Sequence, residues 1–144
     1  MAPMAIVAGA VAIGLGFYVL SGLVVLLFAQ AQTPGGQGED ERRLARFHAL
    51  SVSYTAGWRK LGLIVALLGY SLAAVALFRS EAASLLWLAA AVGLDCALFF
   101  AWRDRVAFTA SLSPQECISD ASGVAALGFA LFVTAILRFS GALS

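Results

Sequence analysis

Charge is what this sequence has least of. Only 12% of its 144 residues are charged, against 62% hydrophobic, and its mean hydropathy is +0.94. A water-soluble domain needs about 25% charged residues to cover its surface. A chain with half that proportion stays dispersed where lipid replaces water over most of its exterior. Cysteine is scarce too. Cys96 and Cys117 stand apart with no C-x-x-C spacing, which excludes a disulfide scaffold and a local cysteine metal motif. The single histidine, His48, lies outside every apolar run, so haem or chlorophyll held by intramembrane histidines is excluded and no cofactor is expected. The sequence also lacks a nucleotide-binding loop, an H-E-x-x-H, paired carboxylates within an apolar run and a Ser/His/Asp set. No metal site and no nucleic-acid partner is expected.

What is present is four apolar runs, at about 4–30, 61–78, 82–102 and 118–137. Each is close to the ~20 residues that a helix needs to cross the hydrocarbon at about 1.5 Å per residue. The sequence predicts an all-α integral membrane protein: one domain over 1–144, a four-transmembrane-helix bundle with a short amphipathic, basic cytoplasmic segment between its first two helices. The first run is long enough to tilt or protrude. Its end, Ala29-Gln30-Ala31, has the form of a signal-peptidase site. No basic residue precedes the run, however, and it is about twice the usual apolar length of a signal peptide. Retention as a helix is the expectation.

The boundaries carry their own signals. Ser113-Pro114-Gln115-Glu116 is an S-x-x-E capping box with proline at the first helical position, so the fourth helix should begin near Pro114 and run to about 139. Only Arg79-Ser80-Glu81 separates the second and third runs, which predicts a tight antiparallel hairpin. Ser80 there should cap the third helix, with Glu81 at its positive end. Between the first two runs, Thr33-Pro34-Gly35-Gly36-Gln37-Gly38 is a flexible linker. The stretch 39–60 then repeats Leu44, Phe47, Tyr54 and Trp58 at helical spacing among Arg42, Arg43 and Arg46. It reads as an amphipathic helix on the membrane surface, or as a solvated extension of the second helix. Its basic residues, with Arg59 and Lys60, could also hold an anionic headgroup.

Asp95 is the one ionisable side chain well inside an apolar run, within about 5 Å of that run's centre at 1.5 Å per residue. A charge there is costly unless it faces protein or water. It is a proton relay, cation site or substrate contact, or else a hydrogen-bonded joint between helices. Running the helices antiparallel brings Ser21 level with Asp95 and puts the hydroxyls of Tyr18 and Tyr70 within reach; the fourth helix offers only Gly128 at that level.

Small residues recur at a stride of four: Ala89, Gly93, Ala97 and Ala101 on the third run; Ser122, Ala126, Ala130 and Thr134 on the fourth; Ala8, Ala12 and Gly16 on the first. Such stripes allow the close helix approach that packs helices in lipid. Asp95 lies about 200° around its helix from Gly93 at 100° per residue, so the third helix has two faces that want partners. A second copy or another membrane protein is the expected partner, beside the bilayer itself. Trp58 and Trp102 should anchor the interface, and Trp87 should pack. Cys96 reads as an apolar filler. Cys117 reads as inert, because Glu116 and Asp120 oppose any lowering of its pKa.

Three function classes remain: a non-enzymatic accessory or assembly subunit, a small transporter or channel using Asp95 as a proton or cation site, and an enzyme acting on a lipid-soluble substrate. Orientation follows from the basic residues. Arg42, Arg43, Arg46, Arg59, Lys60, Arg103 and Arg105 fall in the loops after the first and third runs, and only Arg79 and Arg138 on the other side. That bias places those loops in the cytoplasm and both termini outside. A single cysteine at position 2, in a chain whose two native cysteines are replaced by serine, should react with an impermeant thiol reagent on intact cells, and one at position 37 should not. The reverse pattern would contradict the orientation.

Overall fold

The computed structural model describes residues 2–31 and 36–144. Among them are six helices and no strand: α1 (Ala2–Gln30), α2 (Glu39–Tyr54), α3 (Trp58–Phe78), α4 (Ala83–Phe100), α5 (Arg105–Ser111) and α6 (Pro114–Phe139). Four of these, α1, α3, α4 and α6, are long and apolar enough to cross a membrane, which points to a membrane location. Of the expected linker, residues 33–35 lie outside the described residues.

α3 is the hub. Its inward face carries Ala66, Tyr70, Ala73 and Leu77, spaced three and four apart and all buried, so that α1 closes on one side and α4 on the other. The approach to α4 is tight at Gly69, where a methyl group would stand 3.0 Å from the Ala91 side chain. From α1, Ala8, Ala12 and Leu15 are buried in the same core, with the first two members of its small-residue stripe facing inward. α6 is held more loosely. Thr134 and Leu137, near its end, are its buried residues.

The helix ends explain the connections. At Ser113 the capping box forms: its hydroxyl accepts from the Glu116 N–H at 3.3 Å, and Glu116 Oε2 accepts from the Ser113 N–H at 2.7 Å. α2 ends at Tyr54, and Gly57 takes φ 59° before α3 begins. That left-handed conformation suits glycine and breaks the chain direction, so α2 is a separate helix and not an extension of α3. The loop after α4 contains α5, which the sequence did not announce. Arg105 folds back there to donate to the Phe100 and Trp102 carbonyls at 2.6 and 3.3 Å, satisfying the open C-terminus of α4.

Several expectations are corrected. Ser80 does not cap α4. It takes φ 55° just past the end of α3, where the Glu81 N–H donates to the Ala76 carbonyl at 2.8 Å in a Schellman-type stop. Ala82 holds the N-cap position of α4, and its N–H donates to the backbone oxygen of Ser144 at 2.9 Å. The stripe Ala89, Gly93, Ala97 and Ala101 is exposed, and a methyl added at Gly93 would touch nothing within 4 Å among the described residues. α4 packs instead through Ser84, Leu88, Ala91 and Leu98, the face that also carries Asp95. On α6, Ser122 and Ala126 are likewise exposed. Trp102 is no surface anchor but 3% exposed, whereas Trp87 is 42% exposed and does not pack; Trp58, at 61%, is open at the start of α3. Cys96 and Cys117 are both exposed, so Cys96 fills no core space.

Candidate functional site around Asp95

Asp95 sits within the packing stripe of α4, four residues after Ala91 and three before Leu98, and that spacing turns it inward. Its Oδ2 accepts hydrogen bonds from Tyr18 Oη at 2.6 Å and from Tyr70 Oη at 3.0 Å. The two rings meet edge to face, with centroids 4.9 Å apart and planes at 71°. One carboxylate oxygen thus joins α1, α3 and α4. Among the described residues Asp95 takes part in no ion pair, and the side chains that hydrogen-bond it are phenols.

The remaining tyrosine of the chain, Tyr54, comes alongside from the end of α2. Burial first, and then the neighbouring Asp95 carboxylate, push its phenol well above the ordinary range. Trp102 places this ring, edge to face at 5.0 Å. Trp102 is itself fixed: its Nε1 donates to Ser53 Oγ at 3.1 Å, Ser53 Oγ donates to the Asp104 carboxylate, and Phe108 packs on the indole at 5.3 Å. Tyr54 and this supporting layer could not be found from helix register, because they depend on the turn at residues 55–57.

Ser21 is level with this cluster but does not join it. Its hydroxyl donates to the Tyr18 carbonyl of its own helix at 2.7 Å and is otherwise exposed. A serine bonded to the preceding turn of its own helix is already satisfied.

The basic residues do not form one patch. Arg59 donates to the Ser53 carbonyl at 3.1 Å and belongs to the α2–α3 turn, and Lys60 is half-buried beside it. Arg43 pairs with Glu116 across to α6 at 2.8 Å, both side chains exposed, a geometry of small net worth. Arg42 and Arg46 are exposed on α2. His48, by contrast, is buried, with Nε2 2.9 Å from the Ala31 carbonyl and its ring against Phe28, which ties α2 to the end of α1. Among the described residues no group of histidine, cysteine and acidic side chains is arranged to hold a metal ion.

Chemically the cluster is an acceptor surrounded by donors. Two phenol hydroxyls donating to one carboxylate oxygen join three helices at a single point. Two cavities between α1 and α6 are lined by Tyr18, and neither includes Asp95 in its wall. Removing one phenol should cost what an interhelical hydrogen bond in lipid is worth. Tyr18→Phe is therefore expected to destabilise the chain by about 0.6–2 kcal/mol, while Ser21→Ala stays nearly silent; reversible unfolding in mixed micelles measures both. Equal losses for the two variants would contradict this geometry.

Comparison with protein-family models, with curated proteins and with solved structures returns no match for this chain.

Proposed function

We propose that this chain is a four-span membrane protein that serves as a non-enzymatic accessory or assembly subunit of a larger membrane complex. In this reading α1, α3, α4 and α6 cross the bilayer, α2 and α5 lie on the cytoplasmic side, and both termini are outside, in line with the distribution of arginine and lysine. The observation that carries it is the division of labour on α4. Asp95 accepts from within the chain, from Tyr18 and Tyr70, while the opposite face, Ala89 to Ala101, is left without cover among the described residues. The costly group is spent on internal cohesion, and the face able to admit a close neighbour points outward.

One observation favours a second reading, a transporter or channel in which Asp95 exchanges protons or binds a cation. Tyr18 lines open space between α1 and α6 and donates to Asp95, so the carboxylate stands one hydrogen bond from a cavity.

Two substitutions at Asp95 separate these readings. For an assembly subunit, Asp95→Asn should leave the complex intact, since an amide oxygen still accepts from the phenols. Asp95→Leu should lose about 0.6–2 kcal/mol and release co-purifying proteins, as read by native mass in mild detergent. Neither the natural chain nor either variant should dissipate a pH gradient in vesicles. A lone homo-oligomer that dissipates the gradient, and loses that activity in the Asn variant while staying assembled, would contradict the subunit reading.

A further inference from the structure

The space between α1 and α6 is unusual for two adjacent apolar helices. Small side chains in lipid usually mark the place where helices touch. Here Gly14 on α1 and Gly123 and Ala126 on α6 border a cavity of about 490 Å³ instead. A methyl group added at Gly14 or Gly123 would meet nothing within 4 Å among the described residues. A bare apolar void forfeits dispersion contacts along its whole wall, and its volume falls in the range of roughly 300–1,000 Å³ found for small-molecule sites.

The cavity does not end within the apolar layer. It shares Tyr18, Ser21, Gly123 and Leu127 with a second, of about 440 Å³, whose wall reaches Glu116 and Asp120. That one shares Phe47, Phe108, Leu112 and Glu116 with a third of about 410 Å³, rimmed by Asp40, Arg43 and Arg46. Taken in order, the three linings pass from apolar residues of α1 and α6 to charged residues of α2 and the start of α6. Such a gradient suits an amphiphile, with its chain between the helices and its head at the rim.

The rim decides which amphiphile. It holds two guanidinium groups and three carboxylates, and Arg43 and Glu116 already neutralise each other at 2.8 Å. A purely anionic head would meet Asp40, Glu116 and Asp120 unfavourably. A zwitterionic head matches both signs: its phosphate accepts from the arginines, which offer a planar fork of donors, and its ammonium faces the carboxylates.

We propose that the α1–α6 cleft is the seat of one zwitterionic phospholipid of the surrounding bilayer, held by Arg43 and Arg46 at the phosphate and by Asp40 and Asp120 at the amine. This rests on the reading of the chain as a membrane protein and not on its role in assembly.

The test is reconstitution in nanodiscs of equimolar phosphatidylethanolamine and phosphatidylglycerol, release into mild detergent, and native mass spectrometry of the lipid retained per chain. One phosphatidylethanolamine should be retained, with about a tenfold preference over phosphatidylglycerol, the ratio that corresponds to roughly 1.4 kcal/mol. Asp120→Asn, an exposed position that should not disturb folding, should abolish most of that preference, because it removes a carboxylate that faces the amine. Gly123→Leu combined with Ala126→Phe should fill the cleft and lose the bound lipid whatever its head. Equal retention of both lipids, unchanged by either variant, would overturn the seat, as would a dimer or partner complex that carries no lipid and cross-links through the α1–α6 cleft. A chain that stays monomeric and folded in detergent-free buffer would instead overturn the membrane reading itself, so the two failures are distinguishable.

Discussion

A carboxylate placed among apolar helices is costly unless its oxygens find donors, because no water stands by to solvate them. Asp95 is the residue on which this constraint falls, and the arrangement of three helices follows from how it is met. Tyr18 from α1 and Tyr70 from α3 both donate to one oxygen of Asp95 on α4. For that to happen α1 and α4 must flank α3 on the faces that carry these tyrosines. Leu88, Ala91 and Leu98 then fall inward beside Asp95, and the small-residue stripe on the far side of the helix is turned out. Small residues alone would have favoured burying that stripe, but an unsatisfied charge weighs more than the contacts it would gain.

The same constraint reaches the connecting segments. Tyr54 can stand beside Asp95 because α2 stops one turn before α3 and the Gly57 turn brings its end over the helix bundle. Trp102, Ser53 and Asp104 then hold that end against the loop after α4. α6 stands outside this network. It is attached near Thr134 and Leu137 and, through the Arg43–Glu116 pair, to α2. That difference in attachment is why open space lies along α6 and not between α3 and α4, where Gly69 meets Ala91.

Much of this was legible in the residues, and the exceptions have physical reasons. Apolar run length located the four long helices, since hydropathy reports directly on the energy of burial. Ser113 and Pro114 marked the start of α6 because a capping box is a purely local device. Register along antiparallel helices brought Tyr18 and Tyr70 to Asp95. Register could not say that Ser21 would turn back to its own Tyr18 carbonyl, because a hydroxyl has a local partner always in reach. Nor could it foresee Ser80 in a left-handed conformation, which depends on how α3 stops. The stripe from Ala89 to Ala101 named a face without naming its partner. Tyr54, Trp102 and α5 depend on turns whose course no periodicity encodes.

Asp95 and its tyrosines act as one structural unit. A double-mutant cycle between Asp95→Leu and Tyr70→Phe, measured by reversible unfolding of the reconstituted chain, tests it most directly. A coupling energy of about 0.6–2 kcal/mol is expected, because each substitution removes the same contact. Losses that add to within about 0.3–0.5 kcal/mol, as for sites that do not touch, would contradict it.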